Sequence, residues 1–311
     1  RGMADCTWTP SQRDWLARRN RSALQQTEEG RRQLARCDRG PLLMDTKVDR
    51  ATGQVGANRV NQLKLEELSA RTGKPIVSLG AYHDKPKKDK HLQPEKLDSD
   101  DFRGLEANLL MCEEARVLLT ENLWPEAGLM NGALGNLKGY MWPAGGDPNS
   151  SDSRLRSPLC LLVEFDNLNL KDDQGRERSF FPDDPERKRW VPIFRQKVFS
   201  STEENVYREQ YPLVLAWALT HYKAQGMTLD TARVHLSTKT VGVAGLAFVA
   251  CTRVRHPWDL VFEEDLPEYE HFMKAKSTVA FRRRRRWELR LQERASETVR
   301  RYGFCEEDVW T

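Results

Sequence analysis

The segment 215–230 constrains the fold most strongly, because an apolar run changes there within a few residues into a cluster of hydrogen-bond donors. The apolar part is typical of a helix, which we predict over 213–226, and a new strand is expected from Thr231 onward. Between them lie His221, Lys223, Gln225, Gly226 and Thr228. A glycine lets the backbone approach a phosphate closely, while lysine adds charge and threonine a hydroxyl. The pattern predicts a phosphate-binding turn, with a surface helix that ends at Gly226 as the alternative.

A second block, Phe248–Arg255, places Arg253 and Arg255 at the end of a predicted helix over 244–254. The segments 231–236 and 260–262 on either side of it are typical of sheet strands. Such an alternation of strands and helices indicates α/β architecture.

Together, the two blocks resemble the fifth and sixth motifs of superfamily 1B DNA helicases. This is the RecD-like and Pif-type group, which also includes the Helitron transposon helicases. The resemblance implies an α/β fold of the RecA-like, P-loop-NTPase type, in which this chain supplies the second motor domain. It also implies a 5′-to-3′ helicase that acts in replication, repair, recombination or telomere upkeep.

A third block, 114–123 followed by 128–135 with Asn131, resembles the entry into the SH3-like insertion of that family. Short predicted strands at 116–120, 159–165 and 190–199 are joined by long polar connections, which favours a small β-barrel. We therefore predict a discontinuous RecA-like domain over 1–110 and 213–265. The barrel is placed at 111–212 and a basic helical extension at 266–311.

The resemblance also implies roles for individual residues. Arg253 stands at the position of the arginine finger, which stabilises charge on the transferring phosphoryl group, and Arg255 is a competing candidate. Coupling to the ATP cleft is assigned to Gln225, Gly226 and Arg255. Contacts to single-stranded DNA are assigned to His221, Lys223, Thr228 and Asn131. Trp124, Trp142 and Trp190 are either stacking platforms for bases or members of the barrel core.

The sequence departs from the family in one major respect, since we find no Walker A or Walker B motif. The nearest match to Walker A, around Lys74, lacks the first glycine and has Pro75 in place of the serine or threonine. ATP with Mg²⁺ is therefore expected to bind jointly with a P-loop domain located upstream or in trans. The chain alone is expected to be inactive. The alternatives are a non-catalytic relic that binds single-stranded nucleic acid, and a structural or protein-interaction remnant that does not bind DNA.

Composition bounds the remaining classes. The chain has 311 residues, a net charge of only +4 and no apolar run near the length of a membrane span, so we expect a soluble protein without a membrane partner. Six single cysteines without a paired spacing favour reduced thiols, and no metal site is predicted. The expected location is intracellular and nuclear, with the mitochondrion left open.

Two charged segments complete the sequence. Residues 84–101 are nearly all charged or proline, which predicts a mobile loop without buried surface. Residues 268–302 are predicted to be helical, with a stripe of apolar residues from Trp287 to Tyr302. The run Arg282–Arg286 is an import signal, a phosphate-binding face or a solvated helix face.

Overall fold

A computed structural model describes residues 9–45, 56–84, 92–146, 155–171, 174–243 and 245–303. Its α-helices are α1 (Pro10–Ala17), α2 (Arg21–Leu24), α3 (Glu28–Cys37), α4 (Ala57–Thr72), α5 (Thr238–Gly242), α6 (Leu246–Cys251), α7 (Tyr269–Lys274) and α8 (Val279–Tyr302).

Its strands are β1 (Leu42–Met44), β2 (Val77–Gly80), β3 (Tyr82–Asp84), β4 (Asn108–Met111), β5 (Arg116–Leu119), β6 (Leu134–Met141), β7 (Cys160–Phe165), β8 (Trp190–Phe194), β9 (Gln196–Phe199), β10 (Tyr207–Gln210), β11 (Leu213–Leu215), β12 (Ala218–Thr220), β13 (Ala232–Val234) and β14 (Leu260–Phe262). The mixture of helices and strands confirms the predicted α/β class.

The chain divides into two compact units, one of Arg1–Asp45 with Thr220–Thr311 and one of Thr46–Leu219. These limits differ from the predicted division, because residues 46–110 and 213–219 group with 111–212. Strand pairing explains the difference: β2 pairs with β4, and β11 pairs with β5. The assignment of a RecA-like domain and an SH3-like barrel to parts of the chain stays a prediction.

The first unit contains a parallel sheet in which β13 lies between β1 and β14. Leu43, Val234 and Phe262 from these strands are fully or almost fully buried. Leu34 and Cys37 of α3 pack against Val261 of β14, so the helix α3 covers this part of the sheet. In open parallel sheets, ligands bind beyond the carboxyl ends of the strands, so the residues that follow β1, β13 and β14 are of interest.

The second unit is built from antiparallel strands. Five of them form a sheet in the order β11-β5-β6-β7-β8, and β2 pairs with β4. Both sheets contribute to one apolar core, which includes Leu79, Met111, Leu119, Leu137 and Val163. The third sheet has the strand order β3-β10-β9. Along the chain, β9 follows β8 and β10 precedes β11. The second unit is thus β-rich around one core, and the insertion predicted at 111–212 stays a prediction.

The helix predicted over 213–226 is wrong. The apolar run forms β11 and β12 instead, and residues 221–226 form turns. Leu213, Val214 and Leu215 pair with Leu119, Leu118 and Val117, so the run begins with an edge strand of the five-stranded sheet. Short, continuously apolar segments do not distinguish a buried strand from a buried helix by periodicity.

The charged segment 84–101 is more ordered than predicted where it is described. Residues 85–91 lie outside the described residues, but Pro94 and Ser99 are buried in single 3₁₀ turns. The guanidinium of Arg208 on β10, itself fully buried, donates to the carbonyls of Leu105, Pro94 and Leu97 at 2.7, 2.9 and 3.0 Å. A long-range side chain thus anchors a segment whose own composition offers little to bury.

The C-terminal segment is helical as predicted, in α7 and α8. Its apolar stripe does not pack into the core, because α8 contains no buried residue and Trp287 is 56% exposed.

Cys37, Cys112, Cys160 and Cys251 are free thiols, and burial raises the pKa of Cys37 to about 11. That thiol is therefore protonated and unreactive at neutral pH.

Candidate nucleic-acid and nucleotide interface

The turn 221–228 follows β12 directly. The hydroxyl of Thr220 accepts a hydrogen bond from the amide of Lys223 at 3.1 Å, and its carbonyl accepts one from the amide of Ala224 at 3.1 Å. Gly226 lies in the left-handed region, with φ of +82°, and a β-carbon added there would meet no atom within 4 Å. The glycine is therefore required by the backbone conformation, and the space above it remains open.

The turn presents polar side chains to solvent. Gln225, Gly226 and Thr228 are exposed, and Lys223 is partly exposed. Four of the five residues singled out in the sequence thus lie exposed or partly exposed on one turn, and their roles stay a prediction.

His221 does not belong to that exposed set, although the sequence placed it there. Its side chain is fully buried, and its Nε2 lies 3.0 Å from Oδ1 of Asp45 and 3.1 Å from the carbonyl oxygen of His235. The direct DNA contact predicted for His221 is therefore not available in this structure. Its ring instead fixes the start of the turn against the residues that follow β1 and β13.

Asp45 is the centre of a buried polar cluster at the carboxyl ends of β1 and β13. It accepts hydrogen bonds from Ser237 and Thr240, besides its contact with His221. The hydroxyl of Ser237 also caps α5 by accepting from the amide of Thr240 at 3.2 Å. Burial raises the pKa of Asp45, but the hydrogen bonds and the charges of neighbouring histidines outweigh it and leave the pKa below its usual value.

Sequence reasoning missed this cluster. Asp45, Ser237 and Thr240 are far apart in the chain, and an aspartate after a short strand is not by itself a signal of function. An N-cap serine followed three residues later by a threonine was the only local sign, and it indicates the start of a helix.

Arg253 joins the two blocks that the sequence singled out. Its Nη1 donates to the carbonyl of Met227 in the turn at 3.3 Å, and its own carbonyl accepts from the amide of Leu229 at 2.7 Å. Its Nε donates to the carbonyl of Val249 in α6 at 2.7 Å, and its Nη2 to the hydroxyl of Thr252 at 2.9 Å. Backbone and side chain of Arg253 therefore fix the turn 221–228 to the end of α6.

Arg255, two residues further on, is more accessible. Its side chain is 71% exposed, and its Nη1 lies 4.0 Å from Oδ1 of the equally exposed Asp230. An ion pair at this distance in solvent contributes little. Of the two candidate arginines, Arg253 is the better positioned and Arg255 the more exposed.

Asn131 lies in the other unit, at an exposed turn between β5 and β6. Its amide donates to Oδ1 of Asn122 at 2.8 Å, which holds the turn in shape. Trp142 packs against the core of that unit, whereas Trp124 is 38% exposed and the guanidinium of Arg187 lies over the ring of Trp190. The core assignment thus applies to Trp142, and a stacking role for the other two stays a prediction.

Neither a metal site nor a membrane-spanning helix is found in the described part of the chain. No group of three histidine, cysteine or acidic side chains there is arranged to hold a metal ion. Within the same residues, no helix has the length and apolar character needed to cross a membrane.

The chain is similar to helicases of known type. No protein-family model matches it. The ATP-dependent DNA helicase PIF1 of Danio rerio is 34% identical over 141 residues, which are 45% of this chain and 17% of that protein. The Pif1 helicase of Psychrobacter sp. is 26% identical over 240 residues, or 68% of this chain and 33% of that protein.

Among solved structures, unliganded Pif1 from Bacteroides sp. superposes with a TM-score of 0.48 at 19% identity, over 89% of this chain and 53% of that one. The matched stretches thus span a third or less of the curated relatives named above and about half of the solved structure. The sequence similarity confirms the predicted resemblance: over the matched residues, the chain is related to the Pif1-type DNA helicases of superfamily 1B.

Proposed function

We propose that the chain is the second motor domain of an ATP-dependent 5′-to-3′ DNA helicase. In this proposal, it grips single-stranded DNA and supplies the arginine finger to an ATP site that a P-loop domain completes. The observation that carries the proposal is the contact between Arg253 and the turn 221–228, through the carbonyl of Met227 and the amide of Leu229. The similarity to Pif1-type helicases supports it.

The DNA side of the site consists of Lys223 and Thr228 on the turn. Asn131, in the other unit, is a separate candidate for a contact with DNA. A lysine ammonium and a threonine hydroxyl are donors that suit phosphate oxygens. His221 acts as a positioning residue, because its buried contact with Asp45 holds the start of the turn.

The nucleotide side consists of Arg253 and Arg255, with Gln225 and Gly226 between the two ligands. Guanidinium groups suit the oxygens of a phosphoryl group on which negative charge develops. The donors present fit half of an ATP site. No acidic cluster in the described residues fits Mg²⁺, so the proposal assigns the ion and the phosphate-binding loop to the P-loop domain.

A single rigid connection between both sides provides the coupling. A movement of Arg253 on hydrolysis shifts the carbonyl of Met227, and with it the turn that holds DNA. Coupling of this kind is reciprocal, so DNA bound to the turn also favours the arrangement of Arg253 that promotes turnover. Such a motor fits the repair, recombination and telomere roles implied by the resemblance.

A second function is favoured by the bonding of Arg253 itself. All three of its nitrogen groups donate to acceptors of its own unit, at Val249, Met227 and Thr252. An arginine bonded in this way also serves a purely structural purpose. This observation favours a non-catalytic relic that binds single-stranded nucleic acid through the turn alone.

ATP turnover distinguishes the two functions. The purified chain is combined with the P-loop domain of a Pif1-type helicase, and ATP hydrolysis is measured with and without single-stranded DNA. We expect no turnover by the chain alone, because it has no Walker A or Walker B motif. We expect DNA-stimulated turnover by the pair, and a loss of about 10³-fold or more in the pair that carries Arg253→Ala.

The competing candidate is tested with Arg255→Ala, which removes the same charge two residues away. Binding of a fluorescent single strand reports whether either variant disturbs the turn. We expect a change of less than about twofold, because the backbone bond between the amide of Leu229 and the carbonyl of residue 253 is kept in both variants. A loss of turnover with Arg255→Ala but not with Arg253→Ala would contradict the assignment of the finger. Robust turnover by the chain alone would contradict the need for a P-loop domain.

A further inference from the structure

The C-terminal helix α8 is a long, capped helix that the core of its unit does not use. The hydroxyl of Thr278 accepts from the amide of Phe281 at 3.2 Å at its start, and Gly303 closes its end in the left-handed conformation, with φ of +65°. Its 24 residues correspond to a length of about 36 Å. Since none of them is buried, the packing of its own unit does not explain the sequence of this helix.

The charge of α8 is arranged unequally around its axis. It contains nine arginines, no lysine and three glutamates. Glu288 neutralises one side by contacting Arg284 at 2.7 Å and Arg285 at 3.1 Å. On another side, exposed arginines recur at intervals of three and four residues, which places them in one row along the helix. This arginine stripe consists of Arg283, Arg286, Arg290 and Arg294.

The four guanidinium groups of the arginine stripe form no hydrogen bond or ion pair with any other described residue. Arg286, Arg290 and Arg294 are also spaced four residues apart, so like charges face one another and destabilise the isolated helix. Glu293 and Glu297 add negative charge only towards the end of the stripe. An anionic partner would relieve this repulsion.

We propose that the arginine stripe binds the phosphate backbone of duplex nucleic acid. Arginine rather than lysine is the residue that matches the geometry of a phosphate with two parallel hydrogen bonds, and α8 uses arginine alone. A straight row of charges with a spacing of about 5–6 Å on a rigid helix matches a partner whose phosphates are also held in fixed positions. A helix of about 10–12 Å in diameter also fits the major groove, which is about 12 Å wide.

The inference rests in part on the proposed function, since both assume that the ligand is a nucleic acid. It goes further by assigning duplex binding to a surface that is separate from the single-strand turn 221–228. The exposed side chains Trp287 and Leu291 border the arginine stripe, since Trp287 lies four residues after Arg283 and three before Arg290, and the proposal assigns them no role.

Binding of a fluorescent 30-base-pair duplex by the full chain at several salt concentrations tests the proposal. The variant replaces all four members of the arginine stripe by glutamine, which has a similar helix propensity, and circular dichroism checks that α8 is kept. We expect at least a tenfold loss of duplex affinity at low salt. The slope of log K against log salt should decrease by up to about 3.6, at about 0.9 for each phosphate contact.

The control variant replaces Arg18, Arg31, Arg32 and Arg39 by glutamine. These arginines are exposed in the same unit, and both variants remove four positive charges from a chain of net charge +4. Equal losses in both variants would mean that only net charge matters, which would overturn the proposal. Duplex binding by the stripe variant at the parent's affinity would also overturn it.

Two further probes distinguish a duplex from an acidic protein and from a single strand as the partner of the stripe. Polyglutamate that competes as well as duplex at equal charge would point to an acidic protein and would overturn the proposal. The single strand of the same sequence tests the proposed function independently: binding that is unchanged in the stripe variant but lost in Lys223→Ala leaves the turn 221–228 intact as the single-strand site. The same loss of single-strand and duplex binding in the stripe variant would contradict the preference for a duplex.

Discussion

At the scale of single residues, Asp45 decides whether the site keeps its shape. One carboxylate holds His221 at the start of the turn and Ser237 and Thr240 at the start of α5. Each of these bonds has an ionised acceptor, and such bonds are stronger than those between neutral groups. Since Asp45 is only 12% exposed, water does not replace them easily.

The variant Asp45→Asn tests this role. The amide keeps the shape but places two donors where other groups donate, so we expect the free energy of unfolding at pH 7 to decrease by about 2–3 kcal/mol. Chemical denaturation in urea measures the change. The matched control Asp38→Asn, at a half-exposed ion pair with Arg21, should change it by less than about 1 kcal/mol.

The lowered pKa of Asp45 predicts how the difference in the free energy of unfolding between the parent and Asp45→Asn depends on pH. A carboxyl group whose pKa is lower in the folded state contributes stability that is fully present above its unfolded pKa of about 3.9, and that is lost as the pH falls through the folded value. The difference in the free energy of unfolding between the parent and Asp45→Asn should therefore be constant from pH 7 to about pH 5 and should decrease below about pH 4. A difference of the same size at pH 7 and pH 3 would refute the charged role of Asp45.

At the scale of elements, Arg208 on β10 adds hydrogen bonds to the few apolar contacts of the charged segment before β4, in which Leu92 and Leu97 pack against a small buried cluster. Its guanidinium bonds the carbonyls of Pro94, Leu97 and Leu105, and lies 4.1 Å from the ring centre of Phe102. Burial lowers the pKa of Arg208, but nearby acidic groups such as Glu106 act in the opposite direction.

We expect Arg208→Met to lower the free energy of unfolding by about 3–5 kcal/mol, because it removes three hydrogen bonds to buried or partly buried carbonyls. Limited proteolysis should then cut within the segment 92–105 at native conditions. Arg103→Met serves as the control, since its side chain is 75% exposed, and it should leave both readouts unchanged. Resistance of the Arg208→Met variant to cleavage would show that the segment holds its structure without this anchor.

The same elements show what the sequence can predict. The strands at 116–119 and 160–165 and the helix α8 have clear periodicity or composition, and their type was predicted correctly. The run 213–220 has apolar residues on every side, so only its pairing with β5 distinguishes a strand from a helix. The buried state of His221 depends on Asp45, which is 176 residues away in the chain, and no local pattern reports such a contact.

At the scale of the whole molecule, a net charge of +4 is too small to explain binding to nucleic acid by general attraction. Affinity for a single strand must therefore come from particular side chains. On the turn 221–228, the cation is Lys223, and the other polar groups there add hydrogen bonds without charge.

Lys223→Gln should therefore weaken binding of a fluorescent oligothymidylate, and it should lower the slope of log K against log salt by about 0.7, the contribution of one contact to a single-strand phosphate. Lys276→Gln removes the same charge from another exposed position of the same unit and should leave the slope unchanged. If both variants lowered the slope equally, the turn would not be the binding site. If neither did, phosphate contacts elsewhere in the chain would have to account for binding, and Arg253 would then hold a turn that does not contact DNA.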